Sequence, residues 1–156
     1  MRKKIWAIAC IVILIAAVCV IIVVRHKVAP GKAQQAQAFS TMEEAEAAAD
    51  FNMQYSDRLC GYPATGFEAN SSTIEVRYGD AGYIRKTYAV VHNSDITEET
   101  FNEESAQEID GLQVTFKGRD NMVCLAEWND NNFAYTISAA EGIDAAEMAE
   151  YVRATH

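Results

Sequence analysis

Positive charge is scarce beyond residue 40. Six of the 13 Lys and Arg (Arg2, Lys3, Lys4, Arg25, Lys27, Lys32) lie before that point and all 22 Asp and Glu lie after it, so the remainder carries 7 − 22 = −15. The deficit argues against nucleic acid and an anionic membrane surface as partners, because both need a basic footprint. It could favour cationic partners or metal ions, but the weightier reading is a solvated acidic surface. Catalytic signatures are missing too: there is no G-x-S-x-G, H-E-x-x-H, P-loop or dinucleotide glycine fingerprint. The histidines are His26, His92 and His156, none with a partner at metal-ligand spacing, and there is no C-x-x-C. The acidic run 95–108 and the loop 129–132 lack the alternating Asp/Asn and the Gly of a calcium loop. The chain therefore reads as non-enzymatic, with no cofactor and no metal site.

A second absence is local. The run 5–24, IWAIACIVILIAAVCVIIVV, contains no charge, Pro or Gly. At about 1.5 Å of rise per residue its twenty residues span one hydrocarbon thickness as a helix. It is longer than a secretory apolar region, and basic residues follow it at once. Cys19 is directly preceded by Val18, which does not suit a lipoprotein signal, and Trp6 suits an interfacial position. The expectation is an uncleaved single-pass anchor over residues 1–27, with a transmembrane helix at 5–24. Its very short N-terminal flank resembles that of a signal anchor, which places the following domain outside the cytoplasm.

The rest divides into a linker, 28–39, and a soluble acidic domain, 40–156. The linker opens on Pro30-Gly31 and continues as an Ala/Gln tract. Ser40 and Glu43 have the form of a capping box opening a helix with Met42, Ala45 and Ala49 on its apolar face. Residues 55–72 read as irregular, with a short strand around Phe67. Then the period becomes two. Ile74, Val76 and Tyr78 share a face, a turn follows at 79–82, and a strand returns over 83–91. Residues 92–110 read as an acidic connection. Leu112, Val114 and Phe116 alternate, then Met122, Cys124, Ala126 and Trp128, and after a loop at 129–132 so do Phe133, Tyr135 and Ile137. Asp144 and Glu147 cap a closing helix whose Met148, Tyr151 and Val152 face the sheet, with Ile143 and Met148 as a staple. The predicted class is α+β: an antiparallel sheet of five or six strands packed against the C-terminal helix, preceded by a single N-terminal transmembrane helix.

Several short patterns carry a resemblance: Tyr78, Ile84-Arg85-Lys86, Asp95-Ile96, Val114-Thr115-Phe116-Lys117-Gly118, Ala126-x-Trp128, Tyr135-x-Ile137-Ser138 and Gly142. Over roughly residues 50–153 the chain resembles a family of uncharacterised bacterial domains found mainly in clostridia-like Gram-positive bacteria. These are exported, lipid-anchored or held by one membrane helix, and related domains sit behind the membrane segment of anti-sigma-factor-like proteins. The resemblance implies a sheet packed on a C-terminal helix and an extracytoplasmic location. It implies no known reaction. Thr87-Tyr88 departs from the small pair common at that point of the pattern.

Cys60 and Cys124 are the two cysteines of the domain. Outside the cytoplasm a disulfide between them would stabilise by roughly 3–5 kcal/mol; alternatively Cys124 is a small buried apolar residue of a core strand. Arg85 and Lys86, beside Tyr83, together with Trp128 form a candidate binding surface of the aromatic and basic kind that interfaces favour. The structural alternative makes Trp128 a core anchor and pairs Arg85 with a carboxylate. The leading expectation is a membrane-anchored extracytoplasmic domain that binds a protein or small ligand at the cell envelope. An anti-sigma-like regulatory component would need a membrane partner, since only four residues precede the apolar run. An envelope enzyme would need a cleft with convergent polar groups.

Overall fold

The computed structural model describes residues 35–90 and 101–156. The apolar run 5–24 and the acidic residues 92–100 lie outside the described residues. Among the described residues no helix is long and apolar enough to cross a membrane. The folded unit runs from Gln35 to His156.

The period-two pattern read at Ile74, Val76 and Tyr78 extends across a single antiparallel sheet. Its strands are β1 (Gln37–Phe39), β4 (Gly66–Asn70), β5 (Thr73–Arg77), β6 (Gly82–Tyr88), β7 (Glu103–Ile109), β8 (Leu112–Arg119), β9 (Met122–Asp130) and β10 (Phe133–Ile143). Their order is β1-β4-β5-β6-β10-β9-β8-β7, so two meanders meet where β10 pairs with β6. A separate two-stranded hairpin joins β2 (Arg58–Leu59) to β3 (Tyr62–Pro63). The sheet thus has eight strands, not five or six. Both extra strands are edges. β1 lies in the stretch read as a linker, and β7 lies in the stretch read as an acidic connection.

Register decides which face each residue takes. Val76, Ile84, Ile137, Ala126 and Phe116 stand opposite one another in a continuous row across five strands. All are fully or almost fully buried. They join one apolar cluster with Met42, Ala45 and Ala49 of α1 (Met42–Ala49) and Met148, Ala149 and Val152 of α2 (Ala145–Arg153). Both helices therefore cover the same face. The cap of α1 falls one residue later than the sequence suggests. Thr41 Oγ1 accepts from the Glu44 amide at 3.3 Å, and Glu44 Oε2 accepts from the Ser40 amide at 3.1 Å. In α2 the expected cap is present, with Asp144 Oδ1 accepting from the Glu147 amide at 2.8 Å. Ile143 and Met148 are both buried, as a staple requires.

The helix-free face carries a different row: Glu75, Arg85, Thr136, Glu127 and Thr115. Glu75 is almost fully buried there. Arg85 Nε donates to its Oε2 at 2.7 Å, and Arg77 Nη2 lies 2.7 Å from its Oε1 as an ion contact without hydrogen-bond geometry. Arg77 also reaches Glu68 at 2.8 Å, and Lys117 reaches Glu127 at 2.7 Å. The basic side chains Arg77, Arg85 and Lys117 of this face thus each meet a carboxylate within the sheet.

Candidate functional site

The candidate binding residues divide between the two faces. Consecutive strand residues point in opposite directions, so Tyr83 and Arg85 lie on the helix-free face while Lys86 and Trp128 lie on the helix-covered face. They do not form one surface. Arg85 stacks over Tyr83 at 4.7 Å and is held by Glu75. Trp128 is buried and stacks on Tyr135 at 5.1 Å, nearly parallel. Such a pair adds about 0.5–1.5 kcal/mol beyond its buried area. The structural reading of Trp128 as an anchor and of Arg85 as a carboxylate partner describes their contacts. Cys60 and Cys124 are both free thiols, the first half-buried and the second buried.

The site that the fold does build is a cleft of about 390 Å³ lined by Cys60, Tyr62, Pro63, Thr65, Tyr78, Gly79, Asp80, Ala81, Glu141 and Gly142. Three pieces of backbone meet there. The first is the β2–β3 hairpin, whose two-residue turn has positive φ at both central residues, 52° at Cys60 and 81° at Gly61. That is the turn whose twist suits a tight hairpin. Buried Leu59 roots it in the core. The Cys60 amide donates to the Tyr151 hydroxyl at 2.9 Å, and that hydroxyl donates to Glu147 at 3.1 Å, so α2 holds the hairpin tip.

The second piece is the 3-10 turn Gly79–Ala81 between β5 and β6. The Gly79 amide donates to Thr65 Oγ1 at 3.0 Å, and the Thr65 amide donates to the Arg77 carbonyl at 2.7 Å. Tyr78, with no exposed surface, donates its hydroxyl to the Ser56 carbonyl. The third piece is an irregularity in β10. Pairing with β9 passes from Ser138↔Leu125 directly to Ile143↔Val123, so four residues of β10 stand against Cys124 alone. The excess chain turns Glu141 and Gly142 into the cleft wall. Gly82 closes the arrangement: a Cβ there would lie 1.8 Å from the Ser138 carbonyl oxygen, and its φ is 140°.

Electrostatically the lining is one-sided, with Asp80 and Glu141 and no Lys, Arg or His. Burial, then Glu147 and Glu141, push the Cys60 thiol above its ordinary value. It stays protonated at neutral pH and is a poor nucleophile. Burial likewise holds the Tyr78 phenol in its neutral form. The wall offers charge, hydrogen bonds and an aromatic surface, which suits recognition. Sequence reading missed Tyr62 because residues 55–72 carry no sustained period, and missed Asp80 and Glu141 because one lies in a turn and the other in a strand irregularity. The available signal was Cys60-Gly61, a short turn ending in Gly between Leu59 and Tyr62.

In comparisons with known proteins, no family model, no curated protein and no solved structure matches the chain.

Proposed function

We propose that this chain is a single-pass membrane protein whose acidic domain lies outside the cytoplasm and binds a small ligand, without catalysing its conversion. The observation that carries the reading is the cleft between the β2–β3 hairpin, the Gly79–Ala81 turn and the β10 irregularity. At about 390 Å³ it falls within the range of small-molecule sites. Its walls are fixed by backbone hydrogen bonds from Cys60 and Gly79, so little ordering is lost on binding. The apolar run 5–24, with basic residues at both ends, supports the membrane anchor. The resemblance to exported bacterial domains supports the location.

The location is tested by protease treatment of cell-wall-stripped cells carrying a C-terminally tagged chain. Loss of the tag in intact cells is the expected result. A tag that is digested only after lysis would place the domain in the cytoplasm and overturn this part of the proposal.

A further inference from the structure

We infer that the cleft takes a small organic cation, its ammonium or guanidinium group between Asp80 and Glu141 and its apolar part against the ring of Tyr62. The inference rests on reading the cleft as a ligand site and adds the chemistry of what enters it. Both charged side chains of the lining are carboxylates, while the guanidinium groups of Arg58 and Arg119 stand behind it, donating to the Gly61 and Ala140 carbonyls. A third carboxylate, Glu147, is close enough to act on the Cys60 thiol at the same wall. The charged side chains that face the cleft favour a cation over an anion. Tyr62 is the independent feature. It is 60 % exposed, the one exposed large aromatic among the described residues. A tyrosine ring face attracts cations, more strongly once the contact is desolvated. Pro63 follows it and fixes its own φ, which stiffens the lip that presents the ring.

Size and donor set separate an organic cation from a metal ion. A cleft of about 390 Å³ is far larger than a bare ion requires. Among the described residues no three His, Cys, Asp or Glu side chains are grouped to hold a metal. Thr65 and the hairpin backbone add polar groups that can take the further hydrogens of an ammonium or guanidinium group.

The test uses the intact chain in a non-ionic maltoside detergent, labelled with 3-fluorotyrosine, with the Tyr62 resonance assigned by Tyr62→Phe. Three probes of one shape are titrated at constant ionic strength: benzylammonium, benzyl alcohol and benzoate. Benzylammonium is expected to shift the Tyr62 signal saturably, and benzoate to leave it in place. The double variant Asp80→Asn, Glu141→Gln should bind benzylammonium roughly tenfold more weakly, two partly exposed charge contacts being removed. An unchanged circular dichroism spectrum certifies its fold, and Asp80→Asn alone, expected to bind roughly threefold more weakly, serves if the double variant does not fold. Equal binding of benzyl alcohol and benzylammonium, or unchanged affinity in the variants, would overturn the cationic assignment and leave the cleft as a ligand site. A Tyr62 signal indifferent to all three probes would overturn both.

Discussion

Lys86 shows how one residue can satisfy opposing demands. It is 8 % exposed on the helix-covered face. Its Nζ donates to the Asn52 carbonyl at 2.7 Å and stands 4.6 Å from the ring centre of Phe133, 5.3 Å from Tyr135 and 5.8 Å from Phe51. The stem packs in the apolar layer and the charge ends in an aromatic enclosure. Burial lowers its pKa, while Asp130 and Glu46 raise it; burial is the larger effect, so the net shift is downward from 10.5. Replacing Lys86 by Met leaves the Asn52 carbonyl unpaired but removes a buried charge. The net loss at neutral pH is expected to be about 1 kcal/mol. The pH dependence is the sharper prediction. With a lowered native pKa, the unfolded chain binds more protons between that value and 10.5. The wild type should therefore gain stability over Lys86→Met as pH rises through that window. Tyr135, pushed up to about 12, stays protonated throughout it. Urea midpoints of both proteins from neutral pH to 10.5 measure the difference, and a constant gap would show that Lys86 is not shifted.

At the scale of elements, the two glycines of the resemblance pattern, Gly118 and Gly142, meet at the start of β9. A Cβ on Gly118 would lie 1.9 Å from the Met122 carbonyl oxygen, and one on Gly142 would lie 2.8 Å from the Met122 Cβ. Gly118 sits where the β8–β9 register shifts, beside the Asp120-Asn121 turn. Gly118→Ala must move backbone, so it should cost about 1–3 kcal/mol. Gly66→Ala meets nothing within 4 Å and should stay within about 1 kcal/mol of the wild type. Thermal denaturation of the pair checks this, and equal losses would refute the steric account.

The same elements show what the sequence reveals. Central strands bury one face and alternate cleanly, so β5, β6, β8, β9 and β10 were legible. Edge strands need no such pattern. β7 reads Glu-Glu-Ser-Ala-Gln-Glu-Ile, with six exposed residues before the buried Ile109. Charge on an edge discourages pairing with other chains, and that same charge hides the strand. The overlooked signal was Asp110-Gly111, a hairpin dipeptide that turns with φ of 51° and 86° between Ile109 and Leu112. The cleft was less legible still, because it depends on an irregularity in β10 that brings Glu141 into its wall. Tyr83, Arg85, Lys86 and Trp128 were legible as chemistry but not as geometry, since one step along a strand reverses the face.

For the whole domain the controlling quantity is unbalanced charge. Each of its seven cations is already engaged. Arg77, Arg85, Lys117 and Arg153 meet carboxylates, and Lys86, Arg58 and Arg119 donate to the carbonyls of Asn52, Gly61 and Ala140. The surplus of 22 − 7 = 15 acidic groups from residue 40 onward has no such partners to share. Salt acts on both populations. It weakens the ion pairs, but the Glu75 and Glu127 pairs are contacts near 2.7 Å between partly buried groups and are screened little. Repulsion between distant surface carboxylates acts through water over more than a Debye length of about 8–10 Å and is screened strongly. The second effect should win. Raising NaCl from about 10 mM to about 300 mM is expected to stabilise the intact chain in non-ionic detergent by roughly 1 kcal/mol, a rise of roughly 3–6 °C in Tm for a domain of this size. KCl should act as NaCl does, because screening depends on ionic strength. A Tm that falls with salt would mean that the ion pairs of the helix-free face, and not the surplus negative charge, dominate the electrostatics of the fold.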